Sequence, residues 1–317
     1  MAKLKEIAEL AGVSISTVSN VLNGRKNVGQ ATRERVLQIC ADLGYDPDAA
    51  RKKGKAVRPK TVVFVFSDFD RDFYLKIIEG ISVCLTENGY DLIICTSKSA
   101  ASFLRDNFAS GAIVLDGSLT DDFLISVAKP DFPVVVMDRI IADERARTKS
   151  VIVDNYPVMC EMVQALVDKG FRKFGFIGGL EFTLDHKERY AGFLDTLAKC
   201  GIPFDRKYYF HGNYREQSGY QAAKIMLLSQ DLPEVLVAIR AFEENGVCVP
   251  DDISVTGFDD SEKAEMAGLT TVSIPRFESG YLAAKKLLAL INETIGTEPF
   301  KLGAAIRWRK SVKEKTR

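Results

Sequence analysis

The sequence predicts an α/β protein: a three-helix unit at the N-terminus, then a two-lobed core of Rossmann-like type. Three observations carry this. In the first forty-odd residues, apolar positions recur at helical spacing without the alternation of strands. From Thr61 onward, continuous apolar runs alternate with amphipathic segments, the pattern of parallel strands covered on both faces by helices. These runs are too numerous for one compact sheet, and 317 residues supply chain for two or three lobes.

The elements follow in order. "LKEIAELA" at 4–11 sets Leu4, Ile7, Ala8 and Ala11 on one helical face, and Gly12 is suited to end that helix in the left-handed region. Ser14 stands where an N-cap is needed for a second helix, whose Val18, Val21 and Leu22 face inward. A third helix, about Ala31 to Leu43, turns Val36, Leu37, Ile39, Cys40 and Leu43 inside. Three short helices with a Gly-containing turn between the first two make a helix-turn-helix unit. "DAARKKGKAVRPK" at 48–60 is basic, rich in small residues and closed by Pro59, which reads as a linker.

Beyond it, "TVVFVFS" is a strand and "FYLKIIEGISVCLTENG" an amphipathic helix. Strand "DLIICTS", helix "AASFLRDNFAS" and strands "GAIVLDG", "PVVVMDR" and "SVIVDN" come next. The pattern restarts with helix "YPVMCEMVQALVDKG", strand "KFGFIGG", helix "HKERYAGFLDTLAKCG", strand "KYYFHGN", helix "EQSGYQAAKIMLLS" and strand "EVLVA". No internal sequence repeat is evident. In such sheets ligands sit beyond the carboxyl ends of the strands, and clefts between lobes are favoured sites.

Composition excludes several classes. The six Cys form no CxxC pair and mostly sit in apolar stretches, so buried reduced thiols are expected rather than disulfides. His186 and His211 lack metal-ligand spacing with any Cys, so no metal is expected. "GFIGGLE" lacks the spacing of the dinucleotide fingerprint, and no nucleophile–base–acid set is visible. No cofactor and no enzymatic activity are expected. No apolar run approaches the ~18–20 residues that span a bilayer, and "MAKLKEIAEL" has no signal-type core, so a cytoplasmic location is expected.

Charge is distributed unevenly. Residues 1–60 hold twelve Lys and Arg against six Asp and Glu, a net of +6 on a chain whose total is zero. A basic N-terminal unit on an acidic body points to a polyanion partner for the first sixty residues. The outer face of the second helix offers Ile15, Ser16, Thr17, Ser19, Asn20 and Asn23. Asn20 has the group that pairs bidentately with adenine, and Ile15 suits a thymine methyl. Thr17, Ser19, Asn23, Lys26, Asn27, Thr32 and Arg33 suit phosphates, which position without reading sequence.

The run "LKEIAELAGVSISTVSNVLNG…VGQATRERVLQICADLGYDP" closely resembles the DNA-binding headpiece of the lactose/galactose repressor family. Further landmarks of that family are similar at "VVVMDR", "VIVDN", "ERYAGF", "QSGYQAA" and "VPDDISVTGFDD", so the resemblance covers nearly the whole chain. It implies a helix-turn-helix headpiece at 1–47, a hinge at 48–60, and a periplasmic-binding-protein-like core at 61–317. The N-lobe is expected at about 61–155 and 276–297, the C-lobe at about 156–275 and 298–317. The resemblance also implies a homodimer on a pseudo-palindromic DNA operator and a small effector, often a sugar, in the cleft. Carried over position by position, base reading falls on Ile15, Ser16 and Asn20, and the hinge on Ala49, Ala50 and Arg51. The effector-binding positions are Asp72, Phe73, Tyr74, Asp138, Arg189, Tyr214 and Asp259. Carboxylates and Arg form charge-assisted hydrogen bonds to hydroxyls, while aromatics cover a sugar's apolar face.

Departures from the family pattern stand out at four places, one of them benign: "CTSKSAASFLRDNFASGAIVLDG" is shorter than in most relatives but still reads as strand, helix, strand. Asn20 occupies a position where many relatives carry Arg, so a different operator is expected. In the hinge, Lys53 and Gly54 lie where relatives carry the Leu that wedges into the minor groove, which predicts salt-sensitive binding with less bending. At "EVLVAIRAFEENG", strand Val235–Ala238 runs straight into Ile239, where relatives have about nine more residues. The leading expectation is a sequence-specific transcriptional repressor controlled by a sugar-like effector. The alternatives are a DNA-binding member with an impaired or effector-independent core and, behind it, a small-molecule-binding protein or enzyme on the same core.

Overall fold

The computed structural model describes residues 2–22, 28–43, 60–66, 73–105, 108–143, 147–229, 231–237, 248–294 and 300–314. The chain divides into two compact units, Met1–Pro59 and Lys60–Arg317.

The first unit contains α1 (Ala2–Ala11), α2 (Ile15–Leu22) and α3 (Gln30–Asp42). Helix α1 ends at Gly12, whose φ of 63° is strained for any residue with a Cβ. Val13 N–H then bonds Ala8 O at 3.0 Å and Gly12 N–H bonds Glu9 O at 3.2 Å, which satisfies the terminal carbonyls in a Schellman arrangement. Ile7, Ala8, Ala11, Val18, Val21, Val36 and Cys40 form the core, with Leu22 and Ile39 packed at its edge. Leu37 and Leu43, expected inside, are 42% and 37% exposed. Leu37 lies about 100° round the helix from Val36, and Leu43 is the C-cap, past the last helical residue. The Leu4 side chain lies outside the described residues.

In the second unit, β1 (Thr61–Val65), α4 (Phe73–Glu87), β2 (Asp91–Cys95), α5 (Ser97–Arg105), β3 (Gly111–Val114), α6 (Asp121–Val127), β4 (Val134–Val136) and β5 (Thr148–Val153) build one lobe. The other lobe follows as α7 (Asn155–Asp168), β6 (Phe174–Ile177), α8 (Leu184–Lys199), β7 (Tyr209–Phe210), α9 (Glu216–Ser229), β8 (Val235–Val237), β9 (Ser254–Phe258), α10 (Glu262–Met266) and β10 (Thr270–Ser273). The chain then returns as α11 (Arg276–Ile291), which packs on α4, and ends in β11 (Phe300–Leu302) and β12 (Ala305–Arg307).

The first sheet has the order β11-β5-β4-β3-β1-β2, all parallel. The second has the order β12-β10-β9-β8-β6-β7, with β12 antiparallel to β10. The two orders are the same when each lobe is numbered from its own start, a structural repeat absent from the sequence. Several boundaries differ from the sequence expectation. Helix α6 was not anticipated; Thr120 caps it by accepting from Phe123 N–H at 3.3 Å. Strand β7 shrinks to two residues. Residues 298–317 were expected wholly in the second lobe, yet β11 pairs with β5 in the first sheet and only β12 joins the second. The chain therefore crosses between lobes once more at residues 303–304. Each sheet buries aliphatic side chains on both faces, as parallel strands require. Half-buried Phe73 packs against the cores of both lobes. Among the described residues, no helix is long and apolar enough to cross a membrane.

Candidate functional site

Two surfaces concentrate polar residues above an ordered frame. The first is α2. Ser14 Oγ accepts from Thr17 N–H at 3.1 Å and lies 2.7 Å from Ser16 Oγ and 2.8 Å from Thr17 Oγ1, so one hydroxyl cluster closes the helix start. Val18 and Val21 anchor the inner face, leaving Ile15 half exposed at 50%, Ser16 exposed, and Thr17, Ser19 and Asn20 partly exposed. Thr32 and Arg33 lie in the first turn of α3, partly exposed. Asn23, Lys26, Asn27, Ala49, Ala50 and Arg51 lie outside the described residues.

The second surface lies where the carboxyl ends of strands from both lobes approach each other. Arg189, on α8, is its centre. Its side chain is buried, with the guanidinium carbon 3.5 Å from the Phe258 ring centroid. Nε donates to Asn155 Oδ1 at 2.8 Å. Nη2 stands 3.9 Å from both Asp185 and Asp259, too far for hydrogen bonds. Among the described residues, Nη1 and Nη2 have no acceptor within hydrogen-bond distance. Asn155 is fully buried, and its Nδ2 donates to Asp185 Oδ1 at 2.9 Å and to Val153 O at 3.1 Å. The planar Arg fork is thus held in place while its terminal donors remain for something else.

Three residues here have left-handed backbone: Tyr214 (φ 63°), Asp259 (φ 83°) and Asp260 (φ 49°). Such strain in bulky or charged residues persists where surrounding structure over-determines it, and it clusters at functional sites. Asp260 is tied down by Arg309 Nη2 at 2.8 Å and by Arg276 Nη2, which donates to its carbonyl at 3.0 Å. Tyr214 lies against Gly179, whose Cβ, if present, would stand 2.1 Å from the Tyr214 ring. The Tyr214 hydroxyl is 2.7 Å from Thr183 Oγ1. Thr183 gives its own proton to Leu180 O at 2.7 Å, so Tyr214 is the donor of that pair. Burial pushes the Tyr214 hydroxyl pKa up.

From the first lobe comes Asp138. Arg139 grips it bidentately, Nε to Oδ1 at 2.9 Å and Nη2 to Oδ2 at 3.0 Å. Burial raises the Asp138 carboxyl above its ordinary range despite that pairing, and the Asp185 charge adds to the rise from the opposite lobe. His186 lies below: its Nδ1 accepts from Gly179 N–H at 3.1 Å, and burial first of all pulls its pKa down, favouring neutral imidazole. The cavity between Phe176, Gly179, His186, Arg189 and Phe258 measures about 10 Å³, room for one water.

The structure brings Asp138, Arg189, Tyr214 and Asp259 to this surface, with Phe73 at its base between the lobes. It does not bring Tyr74, which stacks on Phe66 at 5.1 Å inside the first-lobe core. One helical step, about 100°, separates it from Phe73. Asp72 and the Ala238–Ile239 junction lie outside the described residues. Sequence reasoning missed Asn155, Thr183, Asp185 and His186. The run "DHKER" held a signal for two of them, since Asp185 lies one turn before Arg189 and His186 three residues before it. Among the described residues, no cluster of His, Cys, Asp and Glu could hold a metal ion.

Residues 3–48 match the family model described as bacterial regulatory proteins, lacI family, and residues 163–312 match a periplasmic binding protein-like domain. The chain is 30% identical over 322 residues to the HTH-type transcriptional regulator CelR of Thermobifida fusca, covering 94% of each chain. It is 29% identical over 317 residues to the HTH-type transcriptional regulator RegA of Clostridium saccharobutylicum, covering 93% of this chain and 94% of that one. A solved transcriptional regulator CelR–cellobiose complex superposes with a TM-score of 0.71 at 26% identity, over 97% of this chain and 99% of the other. Helix-turn-helix and two-lobed core together with these matches lead to one conclusion: the chain belongs to the lacI family of bacterial regulatory proteins and is a DNA-binding transcriptional regulator.

Proposed function

We propose that the protein is a sugar-responsive repressor acting in the cytoplasm as a homodimer on a pseudo-palindromic operator, and not an enzyme. The carrying observation is Arg189. A guanidinium held flat on Phe258 and fixed by Asn155, with its terminal donors still available, is preorganised for hydroxyl or ring oxygens. Asp259 and Asp138 would accept from sugar hydroxyls. Tyr214, Phe73 and Asp72 complete the proposed site, while Tyr74 is withdrawn from it. The structural relative solved as a cellobiose complex supports a saccharide.

On the DNA side, Ile15, Ser16 and Asn20 are proposed to read base edges. Thr17, Ser19, Asn23, Lys26, Asn27, Thr32 and Arg33 are proposed to meet the phosphates, with Ala49, Ala50 and Arg51 in the hinge. Two-fold symmetry of the dimer would set the spacing of the operator half-sites. Effector binding shifts the population between two lobe arrangements and so between DNA-competent and incompetent dimers. The test is a thermal shift of the full chain over a sugar panel, paired with selection of duplexes from a random pool. A saccharide-dependent shift and an enriched inverted repeat are expected. Retained DNA selectivity without any sugar shift would replace this reading with an effector-independent regulator, and no selectivity over random DNA would sink it.

A further inference from the structure

The edge of the cleft carries an aromatic side chain that ligand or operator recognition does not explain. Phe182, in the turn between β6 and α8, is 66% exposed. Its ring nevertheless reaches the other lobe. A Cβ built on Gly117, just beyond β3 of the first lobe, would stand 3.6 Å from Phe182 Cε2, an ordinary van der Waals separation. The ring therefore stands beside a loop of the other sheet, both loops lying at the carboxyl ends of strands.

Both loops are cross-braced by hydrogen bonds, and each is wired to a residue of the proposed effector site. On the second lobe, Thr183 N–H and Oγ1–H both bond Leu180 O, at 3.0 and 2.7 Å, closing the turn that carries Phe182. The same Thr183 Oγ1 holds the Tyr214 hydroxyl and caps α8, the helix of Arg189. On the first lobe, Ser118 N–H donates to Asp116 Oδ1 at 2.9 Å. Arg139 donates to Asp116 O at 2.6 Å and to Leu119 O at 2.8 Å, bracketing Gly117, while the same guanidinium grips Asp138. A change in lobe separation moves these two loops apart and carries the Phe182 ring away from Gly117.

We propose that Phe182 is a clasp: its ring closes the edge of the interlobe cleft against Gly117, so that effector entry and exit require its release. The gating half of this rests on the sugar-site reading above; the placement of the ring beside Gly117 does not. Phe182 is mostly exposed and Gly117 has room for a methyl, so Phe182→Ala and Gly117→Ala both leave the core intact.

The experiment uses the full-length chain in both variants, with amide hydrogen exchange followed by mass spectrometry. In Phe182→Ala, exchange is expected to quicken about threefold or more in residues 115–119 as well as in 178–183, because an opening shared by both loops becomes easier. Gly117→Ala supplies a methyl that meets the ring and is expected to slow both. With cellobiose and glucose as probes in stopped flow, Phe182→Ala is expected to raise the sugar dissociation rate about tenfold. Exchange that changes in 178–183 alone overturns the clasp. Unchanged sugar rates overturn the gating. If neither sugar binds wild type, the rates are measured with a saccharide that shifts the panel; if none does, the sugar reading and the gating fail together, and exchange in 115–119 alone decides the clasp.

Discussion

Arg189 lies face-on to Phe258, its guanidinium carbon 3.5 Å from the ring centroid, and Asn155 Oδ1 fixes its Nε at 2.8 Å. A lysine at this position keeps the charge but loses both the flat stacking and the Nε donor. Arg189→Lys should therefore lower stability by about 1–3 kcal/mol, because buried Asn155 loses a charged donor. Sugar affinity should fall with it. Urea unfolding of the full chain followed by calorimetric titration measures both, and an unchanged denaturation midpoint would show that Asn155 finds another partner.

Ser14 satisfies the start of α2 through its bond from Thr17 N–H. Ser14→Ala should destabilise α2 by about 1 kcal/mol, while Ser14→Asp keeps an acceptor and should hold it. Amide exchange at Val18 and Val21 is the readout. Equal protection in Ser14→Ala and wild type would mean that the neighbouring hydroxyls substitute for the cap.

Asn20 and Arg33 should fail in different ways. Asn20→Ala should cost about 1–3 kcal/mol at one base position and relax specificity there, whereas Arg33→Ala should weaken all duplexes and reduce the salt slope by about 1. Binding of selected and scrambled duplexes across a salt series separates the two. A uniform loss in Asn20→Ala would remove it from base reading.

His186 makes the second lobe sensitive to acid. Burial favours its neutral form, so its folded pKa lies below the ordinary histidine value. The unfolded chain then binds the proton more readily, and stability rises with pH through this window. The contribution is complete above pH ~6.5 and is lost as pH falls below it. His186→Gln should be less sensitive to that fall. Trp308, the only tryptophan, lies in the second lobe under Lys169 and reports its unfolding by fluorescence. Parallel pH profiles for the two proteins would contradict the assignment.

Gly80 and Gly280 set the closeness of α4 and α11. A Cβ on Gly80 would stand 2.0 Å from Phe277 O, and one on Gly280 would stand 2.1 Å from Ile77 O. Both obstacles are backbone, so the helices themselves must separate. Gly280→Ala should cost about 1–3 kcal/mol or more by overpacking. At Gly303 a Cβ meets nothing within 4 Å, and Gly303→Ala should be near neutral by the same urea measurement. Equal midpoints would show that the helices shift freely.

Much of the molecule was legible as local pattern. The Gly12 turn, the Ser14 cap and the inner face at Val18 and Val21 follow from residues within one helical turn of each other. The two parallel sheets follow from continuous apolar runs. Leu37 and Leu43 were misplaced because apolarity does not say where a packing partner ends. Tyr74 was misplaced because adjacent helical residues diverge by about 100°. The clasp at Phe182 had no sequence signal, since Gly117 is 65 residues away.

By itself, the sequence determined the kind of element formed at each stretch, the headpiece and the alternation of strand and helix, because these depend on interactions within a few residues. Tertiary structure alone decided the rest. It sent β11 to the first sheet and β12 to the second. It set Asn155, Arg189 and Asp259 together, and it held Tyr214 and Asp259 in left-handed backbone. The physical reason is shared: residues far apart in the chain meet only when parallel strands bring their carboxyl ends to one edge, and strained backbone survives only where that packing leaves no alternative.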